Sequence, residues 1–357
     1  GILVHGNKTI EFEKKLHNFI GNKKNFVSTT SSCTAAMHLF YFAKKIKKDD
    51  EVILPAQSHV ATAHAIELAG GKPVFVDSNT IDGNIDVNKI EINISKKTVG
   101  VCVTHFLGKP VEMKQVSALA KKYKLFLIED CALALGAKIG KNHVGTFGDF
   151  GAFSFHPVKI ITTAEGGAYV CNSSNLNNFV KSVKAFGYDI SDPTKRKMPG
   201  NYNVNHLGFN YRMNELEASI GIEQLKKINV FLKKRKFNFH YLKEKLNQFK
   251  RIKILKTQTS GNLKSSYYAL TVILDKGLER NKMIAKLKKK GIGTSIYYPH
   301  PIPMLNYYKK KYGYKNKEFP NACEISYRSI ALPVGPHLKI KHMDYISDCL
   351  KKIIDEK

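Results

Sequence analysis

Short aliphatic runs alternate with amphipathic stretches through the first two thirds of the chain, and this alternation restricts the fold more than any other feature. The stretches CTAAMHLFYFAKKI, VATAHAIELAG and MKQVSALAKKY have the apolar spacing of helices. Such alternation predicts an α/β fold with a mostly parallel, doubly wound sheet, whose ligand site lies at the carboxyl ends of the strands. The runs predicted as buried strands are EVILPA (51–56), KPVFVDS (72–78), TVGVCVTHF (98–106), KLFLIED (124–130) and GGAYVCN (166–172).

The pattern changes near Arg212, where a long helical stretch begins. It is followed by a strand-like run at 265–274, a helix-like stretch ERNKMIAKLKKKGI and a proline-rich stretch YYPHPIP at 297–303. We therefore predict a large α/β domain over residues 1–236 and a smaller α+β domain over residues 237–357, with the long helix joining them.

The most unusual feature of the composition is its net charge of +29, which results from 58 Lys and Arg residues and 29 Asp and Glu residues. A nucleic-acid-binding protein usually concentrates such charge in one stripe or tail. Here the basic runs are scattered, and most lie beside aliphatic residues at helical spacing, which is typical of solvated helix faces. Nucleic-acid binding by a catalytically inactive protein is kept as an alternative.

The six cysteines are far apart and form no CxxC pair. This spacing predicts neither a zinc site nor a disulfide framework, so no metal is expected and a reducing cytoplasm is the simplest location. Cys33 follows two serines at a predicted helix start, where its pKa would fall, although an unreactive small residue is the simpler interpretation.

Three pieces of sequence suggest a site for an anionic, electron-accepting cofactor. The run KLFLIED ends in Asp130, at the edge of the sheet where ligands bind, although a surface acid or a helix cap is an alternative. The stretch VSTTSSCTAAMHLF opens a helix with Thr34 among serines, which forms an anion cup or a plain N-cap.

The third piece is Lys159, the only formally charged residue between Gly151 and Ala164. An amine among apolar side chains loses solvation in its charged form, so its pKa falls and it becomes a nucleophile toward an aldehyde. Ser154 adds a hydroxyl near the anion cup. An acid, an anion cup and a shielded lysine on one α/β scaffold match the requirements of pyridoxal 5'-phosphate (PLP).

The order of these segments resembles the DegT/DnrJ/EryC1/StrS family of sugar aminotransferases, which have the fold type I scaffold of aspartate aminotransferase. The matching stretches cover nearly the whole chain: SSCTAAMHL, HVATAHAIELAGGKPVFVD, THFLGKPVEM, LIEDCALALGA, VGTFGDFGAFSFHPVKIITTAEGGA, GFNYRMNELEASIGIEQL and ALPVGPH.

The resemblance implies roles for particular residues. Lys159 would hold PLP covalently, and Asp130 would pair with the pyridine nitrogen. Phosphate would be bound around Cys33 and Thr34, together with Ser154. His59 would be the aromatic that stacks on the cofactor, and Asn210 would reach the cofactor phosphate of a neighbouring subunit. Tyr298 and His300 would border the sugar. Arg212 would contact a phosphate or anchor the dimer.

Four departures from the family pattern bear on these roles. Leu133 occupies the position where Gln or His usually contacts the cofactor ring, and His59 replaces a larger aromatic. The family's usual substrate histidine aligns with Pro303 rather than His300. Family members also carry a segment before the stretch that matches GILVHG, so we expect residues that cover the substrate pocket to be missing.

The resemblance implies a homodimeric enzyme with shared sites. It would move an amino group, with L-glutamate as the expected donor and the pyridoxamine form as intermediate, to the ketone of a nucleotide-linked keto-sugar, at C4 rather than C3. The product would be an amino sugar for surface glycans such as lipopolysaccharide O-antigen. Relatives that remove a hydroxyl carry histidine in place of the lysine, so Lys159 favours nitrogen transfer; a cyclitol ketone is an open alternative acceptor.

Overall fold

The computed structural model describes residues 2–21, 24–189, 197–198, 200–256 and 261–356. The helices are α1 (Asn7–Ile20), α2 (Cys33–Ala43), α3 (Val60–Leu68), α4 (Met113–Lys122), α5 (Ser174–Val183), α6 (Glu215–Leu246), α7 (Arg280–Lys289), α8 (Asn306–Tyr312), α9 (Pro320–Arg328) and α10 (Ile340–Asp355). The strands are β1 (Phe26–Thr30), β2 (Glu51–Pro55), β3 (Lys72–Val76), β4 (Thr98–Thr104), β5 (Phe126–Asp130), β6 (Lys138–Ile139), β7 (Asn142–His143), β8 (Phe150–Ser154), β9 (Gly167–Cys171), β10 (Ile252–Ile254), β11 (Leu263–Lys264), β12 (Leu270–Leu274) and β13 (Ser329–Leu332).

Seven strands form the central sheet in the order β1-β9-β8-β5-β4-β2-β3. The pairs β2·β3, β2·β4, β4·β5 and β5·β8 are parallel, and β9 runs antiparallel to both β1 and β8. The predicted α/β class with a mostly parallel sheet is therefore confirmed. Because consecutive parallel strands end at the same edge, this topology brings the ends of β4 and β5 and the start of α3 together.

The sheet is buried on both faces, since α2 packs on one side and α1 with α6 covers the other. The 32-residue helix α6 is preceded by its N-cap Asn214, whose side chain forms a capping box with Glu217. Its first turns pack closely on α1, where the ring of Phe12 occupies the space beside Gly221.

Strands β10, β12 and β13 form a small antiparallel sheet that packs with α7, α10 and the second half of α6. The boundary predicted at residue 236 falls inside α6, and β11 pairs with β6 rather than with this small sheet. The division of the chain at residue 236 therefore stays a prediction.

None of the helices in the described ranges combines the length and apolar character needed to cross a bilayer. All six cysteines are buried and free.

Neighbouring acids at the end of β5 point to opposite faces of the sheet, as side chains do along a strand. The carboxylate of Glu129 is completely buried and accepts hydrogen bonds from the backbone N–H groups of Gly145 (2.7 Å), Phe147 (2.7 Å) and Gly148 (2.8 Å). Its fourth partner is His105 Nε2 at 2.9 Å. Glu129 thus fixes the loop before β8, which carries the next site residues.

His105, Glu129 and Cys131 place their possible ligand atoms within 4.8 Å of one another. His105 Nδ1 accepts a hydrogen bond from the N–H of Val111 at 3.0 Å, so the ring proton sits on Nε2 and is donated to Glu129. Both ring nitrogens of His105 are therefore engaged in hydrogen bonds, and these bonds account for the contact between His105 and Glu129.

We expect Glu129→Gln to lower the free energy of unfolding by about 3 kcal/mol, because an amide replaces a buried acceptor of four hydrogen bonds and points an N–H₂ at backbone donors. Urea denaturation measures the change. Glu112→Gln, at an exposed position, is the matched control and should leave stability within about 0.5 kcal/mol. Equal stabilities for the two variants would contradict this account of Glu129.

Candidate active site

A cavity of about 430 Å³ opens where the end of β5, the start of α2 and the turn after β8 meet. Its walls include most of the residues predicted from the sequence, together with several that were not. Among the lining residues are Ser32, Cys33, Thr34, His59, Thr104, Asp130, Leu133, Ser154, His156, Lys159, Glu165, Tyr297 and Tyr298.

Asp130 is the last residue of β5 and is 3% exposed. One carboxylate oxygen accepts from the hydroxyl of Thr62 at 2.7 Å, and the other accepts from the N–H of Ala132 at 3.0 Å. A surface acid or a helix cap, the alternatives considered from the sequence, does not describe this position. A buried carboxylate that faces a cavity, with no basic side chain of the described residues bonded to it, is suited to a cationic ligand group.

The start of α2 forms a second wall. Ser32 caps the helix by accepting from the N–H of Ala35 at 3.0 Å, so the capping residue is Ser32, and the half-buried Thr34 faces the cavity from the first turn. Helix starts leave N–H groups without intrahelical partners, and the helix dipole favours an anion there. Burial raises the pKa of the Cys33 thiol well above its usual range, so Cys33 is the unreactive small residue of the two interpretations.

Glycine is required where β9 passes this helix start. A Cβ on Gly167 would lie 2.3 Å from the carbonyl carbon of Ser32 and 2.4 Å from the backbone nitrogen of Cys33. Ser154, at the end of β8, pairs with Gly167 and lines the same wall. The two strands thus bring a hydroxyl and a helix start together in one anion-binding cradle.

Lys159 lies in the turn that follows β8, and its side chain is half-buried in the cavity wall. Burial lowers the pKa of the Lys159 ammonium, while the nearby Cys33 and Asp130 act in the opposite direction. The direction agrees with the sequence prediction. The turn is held by Tyr268, whose hydroxyl donates to the carbonyl of Val158 at 2.9 Å.

The remaining walls are formed by rings and an apolar side chain. His59 caps α3, with Nδ1 accepting from the N–H of Ala61 at 3.2 Å, and its ring meets Tyr298 edge-on at 5.4 Å between centroids. Leu133 is buried and presents no hydrogen-bonding group to the cavity, as the departure from the family pattern indicates.

The loop that carries Tyr298 is hydrogen-bonded to Gln57, which lies two residues before His59. Gln57 is 1% exposed, and its amide donates to the carbonyl of Tyr297 at 2.9 Å while accepting from the hydroxyl of Ser326 at 2.8 Å. This Gln57 clamp joins the end of β2 to two segments from the last third of the chain.

Three of the predicted residues lie outside the cavity of the single chain. Asn210 is exposed and bridges to Ala185, while the guanidinium of Arg212 lies over the ring of Phe186 at 5.0 Å. His300 is exposed and packs against Tyr327.

Sequence reasoning missed Thr62, Thr104, Glu165 and Tyr297 as residues at or beside the cavity. Thr62 lies three residues after His59, one helical turn away, which is the signal that could have found it. Thr104 ends β4 as Asp130 ends β5, and the two are paired in the parallel register.

The residues of the cavity fit PLP by their chemistry. An anion-binding helix start suits a phosphate, a buried carboxylate suits a protonated pyridine nitrogen, and an amine of lowered pKa suits an aldehyde carbon. The fold and this site together define a PLP-dependent enzyme of fold type I.

The DegT/DnrJ/EryC1/StrS aminotransferase family model matches residues 1–351, and the chain belongs to that family. It is accordingly a PLP-dependent aminotransferase, and chains of this fold have been solved in both PLP and pyridoxamine phosphate forms.

Three proteins illustrate the similarity. The UDP-4-amino-4,6-dideoxy-N-acetyl-beta-L-altrosamine transaminase of Campylobacter jejuni is 34% identical over 99% of this chain and 92% of its own length. The dTDP-4-amino-4,6-dideoxy-D-glucose transaminase of Shigella dysenteriae is 32% identical over 96% of this chain and 89% of its own. The solved structure of Helicobacter pylori PseC, an aminotransferase involved in pseudoaminic acid biosynthesis, has a TM-score of 0.91 at 28% identity, covering 100% of this chain and 93% of PseC.

We expect Gly167→Ala to weaken PLP binding and to destabilise the fold by about 2 kcal/mol, since the new methyl group would force β9 away from the start of α2. Equilibrium titration of apoprotein with PLP and urea denaturation measure the two effects. Gly293→Ala is the matched control, because a Cβ there meets no atom within 4 Å. Unchanged PLP affinity in Gly167→Ala would show that the close approach of these segments does not shape the cradle.

Proposed function

We propose that this chain transfers an amino group from L-glutamate to the C4 ketone of a nucleotide-linked sugar, giving an amino sugar for surface-glycan biosynthesis. The observation that carries the proposal is that the buried Asp130, the shielded Lys159 and the start of α2 line one cavity. Two of the similar transaminases have 4-amino-4,6-dideoxy sugars in their names, which supports C4 over C3.

Lys159 is proposed as the residue that holds the cofactor covalently and moves protons. Its lowered pKa leaves a larger neutral fraction at a given pH, which is the form that attacks a carbonyl carbon and accepts a proton from the amino-acid Cα. Tyr268 holds the backbone of the turn that carries Lys159 by donating to the carbonyl of Val158.

The other walls are proposed to bind and orient. Asp130 holds the pyridine nitrogen in its protonated form, and PLP when bound supplies an electron sink for charge on the amino-acid Cα. Ser154, Thr34 and the backbone at Cys33 bind phosphate, while His59 contacts the ring face. Leu133 leaves the cofactor without the hydrogen bond that a Gln or His gives.

Tyr298 is proposed as the substrate-side wall, since it lines the cavity and contacts His59. His300 is exposed and outside the cavity of the single chain, so a sugar-contacting role for it requires a substrate that extends beyond the cavity mouth. The nucleotide part of the proposed substrate is large enough to extend beyond the cavity mouth.

A homodimer with shared sites is proposed from the surface around Asn210. Exposed apolar side chains lie near it in the sequence, with Leu207 77% exposed and Leu216 68% exposed. Val4 pairs with Asn214, which adds the exposed Ile2 and Leu3 to the same region. The buried Nε of Arg212 has no hydrogen-bond partner among the described residues. Exposed apolar side chains beside a guanidinium nitrogen without a partner are typical of a surface covered by another subunit.

The substrate is tested with a panel of UDP-, dTDP- and GDP-linked keto-sugars, each with the ketone at C3 or C4, and a keto-cyclitol, incubated with PLP and L-glutamate. Mass spectrometry should detect an amino sugar from a 4-keto substrate. Turnover of a 3-keto sugar or of the cyclitol alone would contradict the proposed acceptor. Tight, steeply salt-dependent DNA binding with no turnover would favour the nucleic-acid alternative.

We expect Lys159→Ala to lower kcat/KM by at least about 10²-fold, because it removes both the covalent attachment and the proton carrier. The purified variant should also lack the visible absorbance of covalently held cofactor. The exposed Lys141→Ala is the control and should match the unmodified protein in both measurements. Undiminished transamination by Lys159→Ala would refute the proposed role.

Shared sites are tested by mixing Lys159→Ala and Asn210→Ala, each of which is expected to be inactive by itself, under conditions in which subunits exchange. If Asn210 serves the neighbouring site, half of the dimers are mixed and each has one intact site, so about a quarter of full activity should return. If Asn210 serves the site of its own chain, mixing should restore nothing. Size-exclusion chromatography with light scattering gives the oligomeric state of each sample.

A further inference from the structure

A chain of three buried hydroxyls leads to the carboxylate of Asp130. Thr62 Oγ1 donates to Asp130 Oδ2 at 2.7 Å, Ser58 Oγ lies 2.9 Å from Thr62 Oγ1, and Thr104 Oγ1 lies 2.9 Å from Ser58 Oγ. All four side chains are nearly inaccessible, with Thr62 0% exposed, Ser58 2%, Asp130 3% and Thr104 4%. Buried hydroxyls of this kind are fixed by their partners rather than by water.

The donor-to-acceptor direction along these three hydroxyls follows from counting their protons. A carboxylate only accepts, so the single hydroxyl proton of Thr62 is committed to Asp130. The oxygen of Thr62 must then accept from Ser58, which leaves Ser58 to accept from Thr104. The three hydroxyls thus point one way, from Thr104 at the cavity wall to Asp130.

The elements that carry these hydroxyls are themselves held in place. Thr104 and Asp130 are neighbours in the parallel register of β4 and β5. Thr62 lies in the first turn of α3, and that helix is fixed to α8 by His64, whose Nδ1 lies 2.7 Å from the hydroxyl of Tyr308. Rigid supports of this kind are needed for a hydroxyl to define the orientation of another side chain.

Asp130 is held through both oxygens, since Oδ1 accepts from the N–H of Ala132 at 3.0 Å while Oδ2 accepts from Thr62. The carboxylate therefore cannot rotate about its χ2 bond without losing one of these hydrogen bonds. Its remaining lone pairs are the ones available to a cation in the cavity.

We propose that Thr62 is a positioning residue for the transamination reaction, and that it orients Asp130 toward the pyridine nitrogen through a directed hydroxyl chain completed by Ser58 and Thr104. The inference rests on the proposed role of Asp130 and adds three residues to it. None of the three hydroxyls is assigned a contact with reacting atoms.

The test compares Thr62→Val, which keeps the shape and removes the hydroxyl, with Thr62→Ser, which keeps the hydroxyl. Apoprotein of each variant is titrated with PLP by equilibrium dialysis. Loss of a hydrogen bond to a charged group should weaken binding by about tenfold in Thr62→Val, while Thr62→Ser should bind within about threefold of the unmodified protein. Ser58→Ala, which removes the donor to Thr62, should have an intermediate affinity.

A second measurement separates positioning from a loss of structure. The visible absorbance of bound cofactor is measured as a function of pH. The pH at the midpoint of the absorbance change should shift in Thr62→Val but not in Thr62→Ser. Thr271→Val is the matched control, because Thr271 is buried in β12 and its hydroxyl has no hydrogen-bond partner in the described part of the chain. Thermal denaturation verifies that each variant is folded.

Asp130→Asn is measured alongside and distinguishes the two ways of failing. If Asp130→Asn keeps the PLP affinity and absorbance of the unmodified protein, the proposed role of Asp130 is wrong. If Asp130→Asn loses them and Thr62→Val does not, the role of Asp130 stands and the inference about Thr62 is overturned. Equal losses in Thr62→Val and Thr62→Ser would also overturn it, because the hydroxyl would then not be the cause.

Discussion

The site depends on keeping two adjacent carboxylates inside an apolar sheet. Burying a carboxylate is costly unless hydrogen bonds replace its water. Glu129 is satisfied by backbone N–H groups and His105 on one face, which fixes the loop leading into β8. Asp130 is satisfied by Thr62 and Ala132 on the other face and is left facing the cavity. Glu129 thus supports the loop that leads toward Lys159, and Asp130 is the residue proposed to pair with the cofactor.

The parallel register explains why these supports converge. Strands β4 and β5 end side by side, so Thr104 and Asp130 are placed together without any contribution from the loops. The start of α2 is brought to the same edge by the close passage of Gly167 in β9. The cavity is therefore a product of strand ends and one helix start, which are the most rigid parts of an α/β sheet.

Much of the central sheet could be predicted from the sequence, because aliphatic runs such as 51–56 and 124–130 are typical of buried strands. Strands β1 and β8 were missed since FVSTT is rich in hydroxyls and FGAFS contains glycine, so neither has the aliphatic pattern. Lys159 and Asp130 could be found because each stands out from an apolar run. The spacing of Thr62 from His59 could place Thr62 near the site, but its hydrogen bond to Asp130 could not be predicted, because a threonine within VATAHAI carries no sign of a partner 68 residues away in the chain.

The Gln57 clamp has a consequence for how this enzyme can change its substrate. Gln57 directly precedes Ser58 and lies two residues before His59, and it holds the peptide of Tyr297 next to Tyr298. The loop of Tyr298, which is proposed to face the sugar, and the start of α3, which is proposed to face the cofactor, are therefore one hydrogen-bonded unit rather than two independent surfaces. Substitutions in the 297–303 loop that alter sugar preference should be non-additive with substitutions at the start of α3. A change of acceptor specificity would then require substitutions in both segments. The single variant made first would differ in activity according to which segment was changed first.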